Sequence, residues 1–96
     1  MNLVYSAEAL DDLARLREFI AEHNPKAAGR IAAELLERIK YLKRFPEMGH
    51  RVEQAPDPDA IRDFFFGKYV VRYVRHEQTI AVLRIWHHLE VRAGKT

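Results

Sequence analysis

The chain contains no cysteine. That absence removes a disulfide framework, a thiolate nucleophile and any cysteine-ligated metal from consideration. Glycine and proline number four each, and no repeat or low-complexity segment interrupts the chain. No window approaches the ~20 consecutive apolar residues of a membrane span. The first residues lack the basic-then-apolar layout of a secretory signal, since acids appear at Glu8, Asp11 and Asp12. A dominant charge is missing too: 16 Lys and Arg face 14 Asp and Glu, for a net charge of +2. This falls short of a protein that coats nucleic acid by charge alone. These absences predict a cytoplasmic protein with no membrane partner and no cofactor.

What is present suits one folded domain spanning residues 1–96. The composition is 48% hydrophobic and 31% charged, ordinary for a chain with a single core. Residues 2–5 include Leu3-Val4-Tyr5, a first strand that must pair with something later. Ser6 is a good helix N-cap, with Glu8, Asp11 and Asp12 in the first turns, where the helix dipole favours acids. Ala9, Leu13, Leu16 and Ile20 then recur at three- and four-residue spacing, predicting an amphipathic helix over 7–22. Asn24-Pro25 ends it and opens a second helix over 25–44, roughly 30 Å long. The short joint makes the pair an antiparallel hairpin. Residues 45–59 have Gly49, Pro56 and Pro58 but no periodicity, and read as loop.

Three β-rich runs follow, at 60–66, 68–75 and 79–88, with a tail over 89–96. They are separated by Gly67 and a short polar gap, as in an antiparallel meander. Tyr69, Val71 and Tyr73 share one face, while Val70, Arg72 and Val74 share the other. In the last strand Ala81, Leu83 and Ile85 alternate with Val82, Arg84, Trp86 and His88. Placing both cleaner apolar rows on one face requires a three-residue loop between Arg75 and Thr79, because a two-residue turn shifts the register by one. Pairing Tyr73 with Ala81 sets Arg72 opposite Val82. The other register sets Arg72 opposite Arg84, a like-charge pair that costs stability. The resulting fold class is α+β: an N-terminal strand and a helical hairpin packed on one face of a small, mainly antiparallel four-stranded sheet.

The far sheet face carries Arg72, Arg84, Trp86 and His88 among three valines, too apolar a mixture to stay wet, and so a contact surface. Arg72 and Arg84 can clamp phosphate bidentately, or they are charged rungs on a solvated face. His87 and His88 can move protons near neutral pH, or His87 packs at the core edge and His88 ends a strand at the surface. They do not make a metal site, because adjacent strand residues point to opposite faces and no third ligand stands at a suitable spacing. At most two of Phe64, Phe65 and Phe66 can share one strand face, and core packing is the expected use before a stacking platform for bases. The basic end, residues 92–96, reads as a frayed terminus.

Taken in order, Ser6 to Leu13, Asn24-Pro25, Pro46-Glu47-Met48-Gly49, Ile61-Arg62, Gly67-Lys68-Tyr69 with Tyr73, and Ile80 to His88 resemble the RelE/ParE toxin superfamily over nearly the whole chain. The resemblance implies a toxin of a type II toxin–antitoxin pair, held with a cognate antitoxin in a hetero-oligomer. RelE-like members cut mRNA on the ribosome with basic strand residues and a C-terminal Tyr or His. ParE-like members block DNA gyrase without a hydrolytic site. The arginine that RelE-like enzymes carry after the third-strand Tyr falls here on Val70, and no Tyr follows Tyr73. The ParE-like reading is therefore the expectation. A ribonuclease would have to use Arg72, Arg84, His87 and His88. The contact set for target or antitoxin is Arg62, Val70, Arg72, Val74, Val82, Arg84, Trp86, His88 and Arg92.

Overall fold

The computed structural model describes residues 1–57 and 60–92, the last two as backbone alone. The side chain of Arg92, and residues 93–96 of the expected tail, lie outside the described residues. Ser6 takes an extended backbone and accepts the Ala9 N–H on its Oγ at 2.9 Å, starting helix α1, Ala7–His23. Ala9, Asp12, Leu16 and Ile20 form its buried stripe. Asp12 therefore belongs to the core side, and its place in the first turns is not explained by the dipole. The Asn24 N–H closes α1 on the Ile20 carbonyl at 2.7 Å, and its own carbonyl accepts from Ala27. That turn delays helix α2 to Ala28–Lys40, followed by one 3₁₀ turn, Tyr41–Lys43. The second helix is thus shorter at both ends than the expected 25–44.

Among the described residues the sheet has five strands rather than four, in the order β1-β5-β4-β3-β2. Strand β1 is Asn2–Tyr5, β2 is His50–Arg51, β3 is Ile61–Phe66, β4 is Tyr69–His76 and β5 is Thr79–His87. The first strand pairs in parallel with β5, and the other neighbours are antiparallel. The addition is β2, inside the expected loop, where His50 meets Asp63 and Arg51 meets Arg62. Two residues are too few to show alternation in the sequence. The turn before it is pinned by the buried Tyr73, whose hydroxyl donates to the Pro46 carbonyl at 2.7 Å and accepts the Gly49 N–H at 2.9 Å.

The β4–β5 hairpin corrects the expected loop. His76 pairs with Thr79, leaving a two-residue turn at Glu77 and Gln78, with Glu77 at φ +54°. The register then shifts between Arg72 and Tyr73, which face Arg84 and Val82, so Leu83 is an extra residue on β5. This bulge moves the core-facing set from Ile80 and Val82 near the turn to Ile85 and His87 beyond it. Val82 is fully buried in the core, not on the far face, and only Ile85 of the expected Ala81/Leu83/Ile85 row is buried there. Beyond the bulge the like-charge pair, Arg72 opposite Arg84, is the one formed, although Tyr73 faces Val82 and neither expected register runs the length of the hairpin.

Leu16, Leu35, Ile39, Leu42, Val71, Tyr73, Ile80, Val82 and Ile85 make the core, between the helical hairpin and one sheet face. Strand β5 outlasts β1, and its exposed ladder groups are taken up by side chains. Ser6 Oγ donates to the Leu83 carbonyl, Asp12 accepts the Ile85 N–H, Arg15 donates to the Ile85 carbonyl, and Glu90 accepts the His87 N–H. Glu90 lies on a short helix α3, His88–Arg92, where strand end and tail were expected. Among the described residues, no helix is long and apolar enough to cross a membrane.

Candidate functional site

Among the described residues, no helix packs on the sheet face turned away from the helical hairpin. Register places Asp63 and Phe65 of β3, Val70, Arg72 and Val74 of β4, and Arg84 and Trp86 of β5 on it. Phe65 is 51% exposed, with the His50 ring 5.5 Å away. Val70, between Phe65 and Trp86 in the register, is already buried, while Val74 and Trp86 are half-buried.

Each cation on this face is spoken for. Arg72 donates to both oxygens of Asp63, at 2.8 and 3.0 Å, and its guanidinium lies 5.2 Å from the Trp86 ring centroid. Arg84 reaches across the open edge of β5 to Asp12, with contacts of 2.8 and 3.1 Å. Both hold their protons more tightly than usual, chiefly through those carboxylate hydrogen bonds. Two facing arginines, each given its own acid, no longer carry the like-charge penalty. Arg62 stands opposite Tyr73, on the helix side, and donates to the Gly49 carbonyl at 2.9 Å.

The two histidines separate. His87 is buried on the helix side, 5.0 Å from the Phe19 ring and edge-on to Tyr69 at 4.9 Å. Burial lowers its pKa, opposed by the nearby Glu90, and its Nδ1 accepts the Leu89 N–H at 3.0 Å. The ring is therefore neutral near pH 7, with its proton on Nε2. His88 is exposed at the start of α3. Burial also raises the Tyr69 and Tyr73 pKa values, so neither phenol serves as a base at neutral pH. Among the described residues, no three His, Asp or Glu side chains converge as metal ligands.

The sequence reading overlooked the acids. Asp63 is directly opposite Arg72, a pairing readable once the β3–β4 register is known. Asp12 and Glu90 are buried and clamp Arg15 between them: Asp12 takes Nη1 at 2.5 Å, and Glu90 takes Nε at 2.6 Å. Burial alone would raise both carboxyl pKa values. Hydrogen bonds from Arg84, Arg15 and the Ile85 N–H bring Asp12 below its ordinary range, and those from Arg15 and the His87 N–H do the same for Glu90. A second surface lies between the helices, a groove of about 450 Å³ bordered by Leu13, Arg17, Ile20, Gly29, Ala33 and Leu36.

Over residues 3–92 the chain matches the family described as the ParE toxin of the type II toxin–antitoxin system parDE. The chain belongs to the ParE toxin family. As a ParE-family chain within the RelE/ParE superfamily, it is a toxin of a type II toxin–antitoxin system, which implies a cognate antitoxin. It is similar to Toxin RelE1 of Caulobacter vibrioides, 32% identical across 95% of this chain and 97% of that one. Toxin RelE2 of the same organism is 31% identical, covering 90% and 93%. The solved chromosomal ParDE system from P. aeruginosa has the same fold, with a TM-score of 0.77, 19% identity, and coverage of 91% and 95%.

Proposed function

We propose that this ParE-family toxin acts in the cytoplasm by inhibiting DNA gyrase, as a binding effector without a hydrolytic step, and is neutralised by its antitoxin. The observation that carries this reading is the pairing of both arginines on the free sheet face, Arg72 and Arg84, with carboxylates. Phosphodiester cleavage by such a face needs cations free to meet phosphate and a group that exchanges protons near pH 7. Arg72 and Arg84 are instead bound by Asp63 and Asp12, and His87 is buried and neutral. The remaining surface, with Phe65, Trp86 and Val74 around a neutralised Arg72, has the character of a protein interface. Purified toxin should inhibit gyrase supercoiling. Undiminished supercoiling at high toxin excess would refute the reading.

The antitoxin is proposed to lay an amphipathic helix into the α1/α2 groove, where Gly29 and Ala33 let a partner backbone come close, and to continue over the toxin surface. Trp86→Ala should weaken that complex if the sheet face is part of it, and unchanged affinity removes the face from the interface. The names of the two Caulobacter relatives and the exposed His88 favour a second reading, a ribosome-dependent endoribonuclease. Primer extension on mRNA after induction, with His88→Ala alongside, separates the two. An absence of new cleavage ends discards the nuclease.

A further inference from the structure

Beyond the groove and the sheet, a third concavity of about 670 Å³ opens between the end of the helical hairpin and the end of β4. Arg44, Phe45, Pro46, Glu47, Met48 and Arg75 line it. Its apolar floor is held in place. The Tyr73 hydroxyl bonds Pro46 and Gly49, and a Cβ on Gly49 would come within 2.8 Å of the Tyr73 ring. Phe45 is nevertheless 55% exposed, with Met48 and Tyr41 also open to solvent. A buried anchor thus fixes large apolar side chains in water, which a free protein gains nothing from.

The charges here contrast with several paired ones elsewhere on the protein. Arg15, Arg72 and Arg84 are bound by carboxylates, and Arg30 and Lys40 by Glu34 and Glu37. Arg44 and Arg75 take no carboxylate among the described residues; the guanidinium of Arg44 lies 5.8 Å from the Phe45 ring centroid. Two uncompensated guanidiniums beside an apolar floor fit an anionic group attached to an apolar one. Nucleic acid fits less well. Arg44 covers a face of Phe45 that a base would stack on.

We propose that this cleft docks an acidic segment of the antitoxin, anchored by an apolar side chain. The proposal rests on the neutralisation reading above and adds a second point of attachment to it. Helix α2 connects the two sites: its first half borders the groove, and the chain just past its end forms the cleft. From Leu36 to Arg44 is about 12 Å along a helical path. About four extended residues of one partner chain cover that distance. Two moderate contacts so linked act at high effective concentration, and an acidic segment also raises the encounter rate at low salt.

The test measures purified cognate antitoxin binding to the full-length toxin at low and high salt. The toxins compared are wild type, Arg44→Glu with Arg75→Glu, Phe45→Ala, Arg30→Glu as a charge control, and Ala33→Arg in the groove. Thermal melts verify folding, which these exposed cleft positions leave intact. The double variant should lose about tenfold or more in affinity and most of the salt dependence, a change of about 1.4 kcal/mol per tenfold. Phe45→Ala should weaken binding and keep the salt dependence, and Arg30→Glu should match wild type. Wild-type affinity in the double variant, with Ala33→Arg impaired, overturns the cleft and leaves neutralisation standing. A wild-type toxin that fails to bind overturns both. Loss of binding to a single-stranded oligonucleotide in the double variant, with antitoxin affinity unchanged, also overturns the proposal and reassigns the cleft to nucleic acid.

Discussion

Replacing Asp12 by alanine removes the acceptor on which the open edge of β5 depends. The carboxylate receives Arg15 at 2.5 Å, Arg84 at 2.8 and 3.1 Å, and the Ile85 N–H at 2.8 Å. The arginine side chains are 37% and 47% exposed, so both recover hydration on losing the acid. Each such contact therefore contributes no more than about 1 kcal/mol. The Ile85 N–H is buried and recovers nothing, which costs about 1–3 kcal/mol. Asp12→Ala should thus destabilise by about 2–4 kcal/mol, lowering the melting temperature by on the order of 10–25 °C for a domain of this size. Arg84→Ala should cost less, about 1–2 kcal/mol, because Arg15 and the Ile85 N–H still hold the buried carboxylate. Asp12→Asn should fall between, because an amide oxygen still accepts from Ile85. Urea unfolding of the three variants is the measurement. Equal costs for Asp12→Ala and Arg84→Ala would refute the argument, since they would place the energy in the ion pair and not in the strand edge. Asp12 is also held below its ordinary pKa, so its contribution is complete above the unfolded value near 4 and is lost as pH falls through the folded one.

His87 titrates in the same sense at higher pH. Burial holds its folded pKa below the ordinary 6.5, so the unfolded chain takes the proton first and stability drains away as pH falls from about 6.5 through the folded value. His87→Gln should flatten the urea midpoint between about pH 7 and about pH 5, and an unchanged slope would show that the burial does not govern it. Gly49→Ala should cost about 1–3 kcal/mol through overpacking against Tyr73, and equal stability in urea would mean the turn can move. Glu77→Gly should be neutral or raise stability by up to about 1 kcal/mol, because Glu77 holds φ at +54° in a two-residue turn; a clear loss in thermal melting would contradict that.

The α+β plan was legible because its signals are local and repeated. Ser6 capping α1, the apolar spacing of Ala9, Leu16 and Ile20, and Gly67 between two β-branched or aromatic runs each act within a few residues. The fifth strand was not, since His50 and Arg51 are held by distant Tyr73 and by pairing to β3. The ends of α2 failed for a related reason: Asn24 is spent closing α1, so it cannot cap the next helix. In the site, Arg72 beside Trp86 was readable from parity alone. What became of its charge was not, because Asp63 meets it only through the ladder, and Asp12 meets Arg84 across 72 positions of sequence.

The misplacement of Val82 has one cause, the bulge at Leu83, and that cause can be removed. Deleting Leu83 leaves Tyr73 facing Val82 and Arg72 facing Arg84 in an unbroken ladder, with Val82 and Ile85 both on the core side. The β4–β5 pairing by itself therefore does not need the extra residue. The edge toward α1 does. Ser6 holds the Leu83 carbonyl and the Val82 carbonyl, while Asp12 waits for Ile85 further along. Removing one residue draws Ile85 back by up to about 3.3 Å, beyond hydrogen-bond reach of a carboxylate fixed on a packed helix. The deletion should fold, melt lower than wild type, and already have lost most of what Asp12 contributes. Asp12→Ala added to it should then cost less than half of its cost in the full chain, a coupling that urea unfolding of the double-mutant cycle measures directly. Full additivity would mean that the bulge and the acid are independent, and that the register of β5 against the helix is set by something other than their fit.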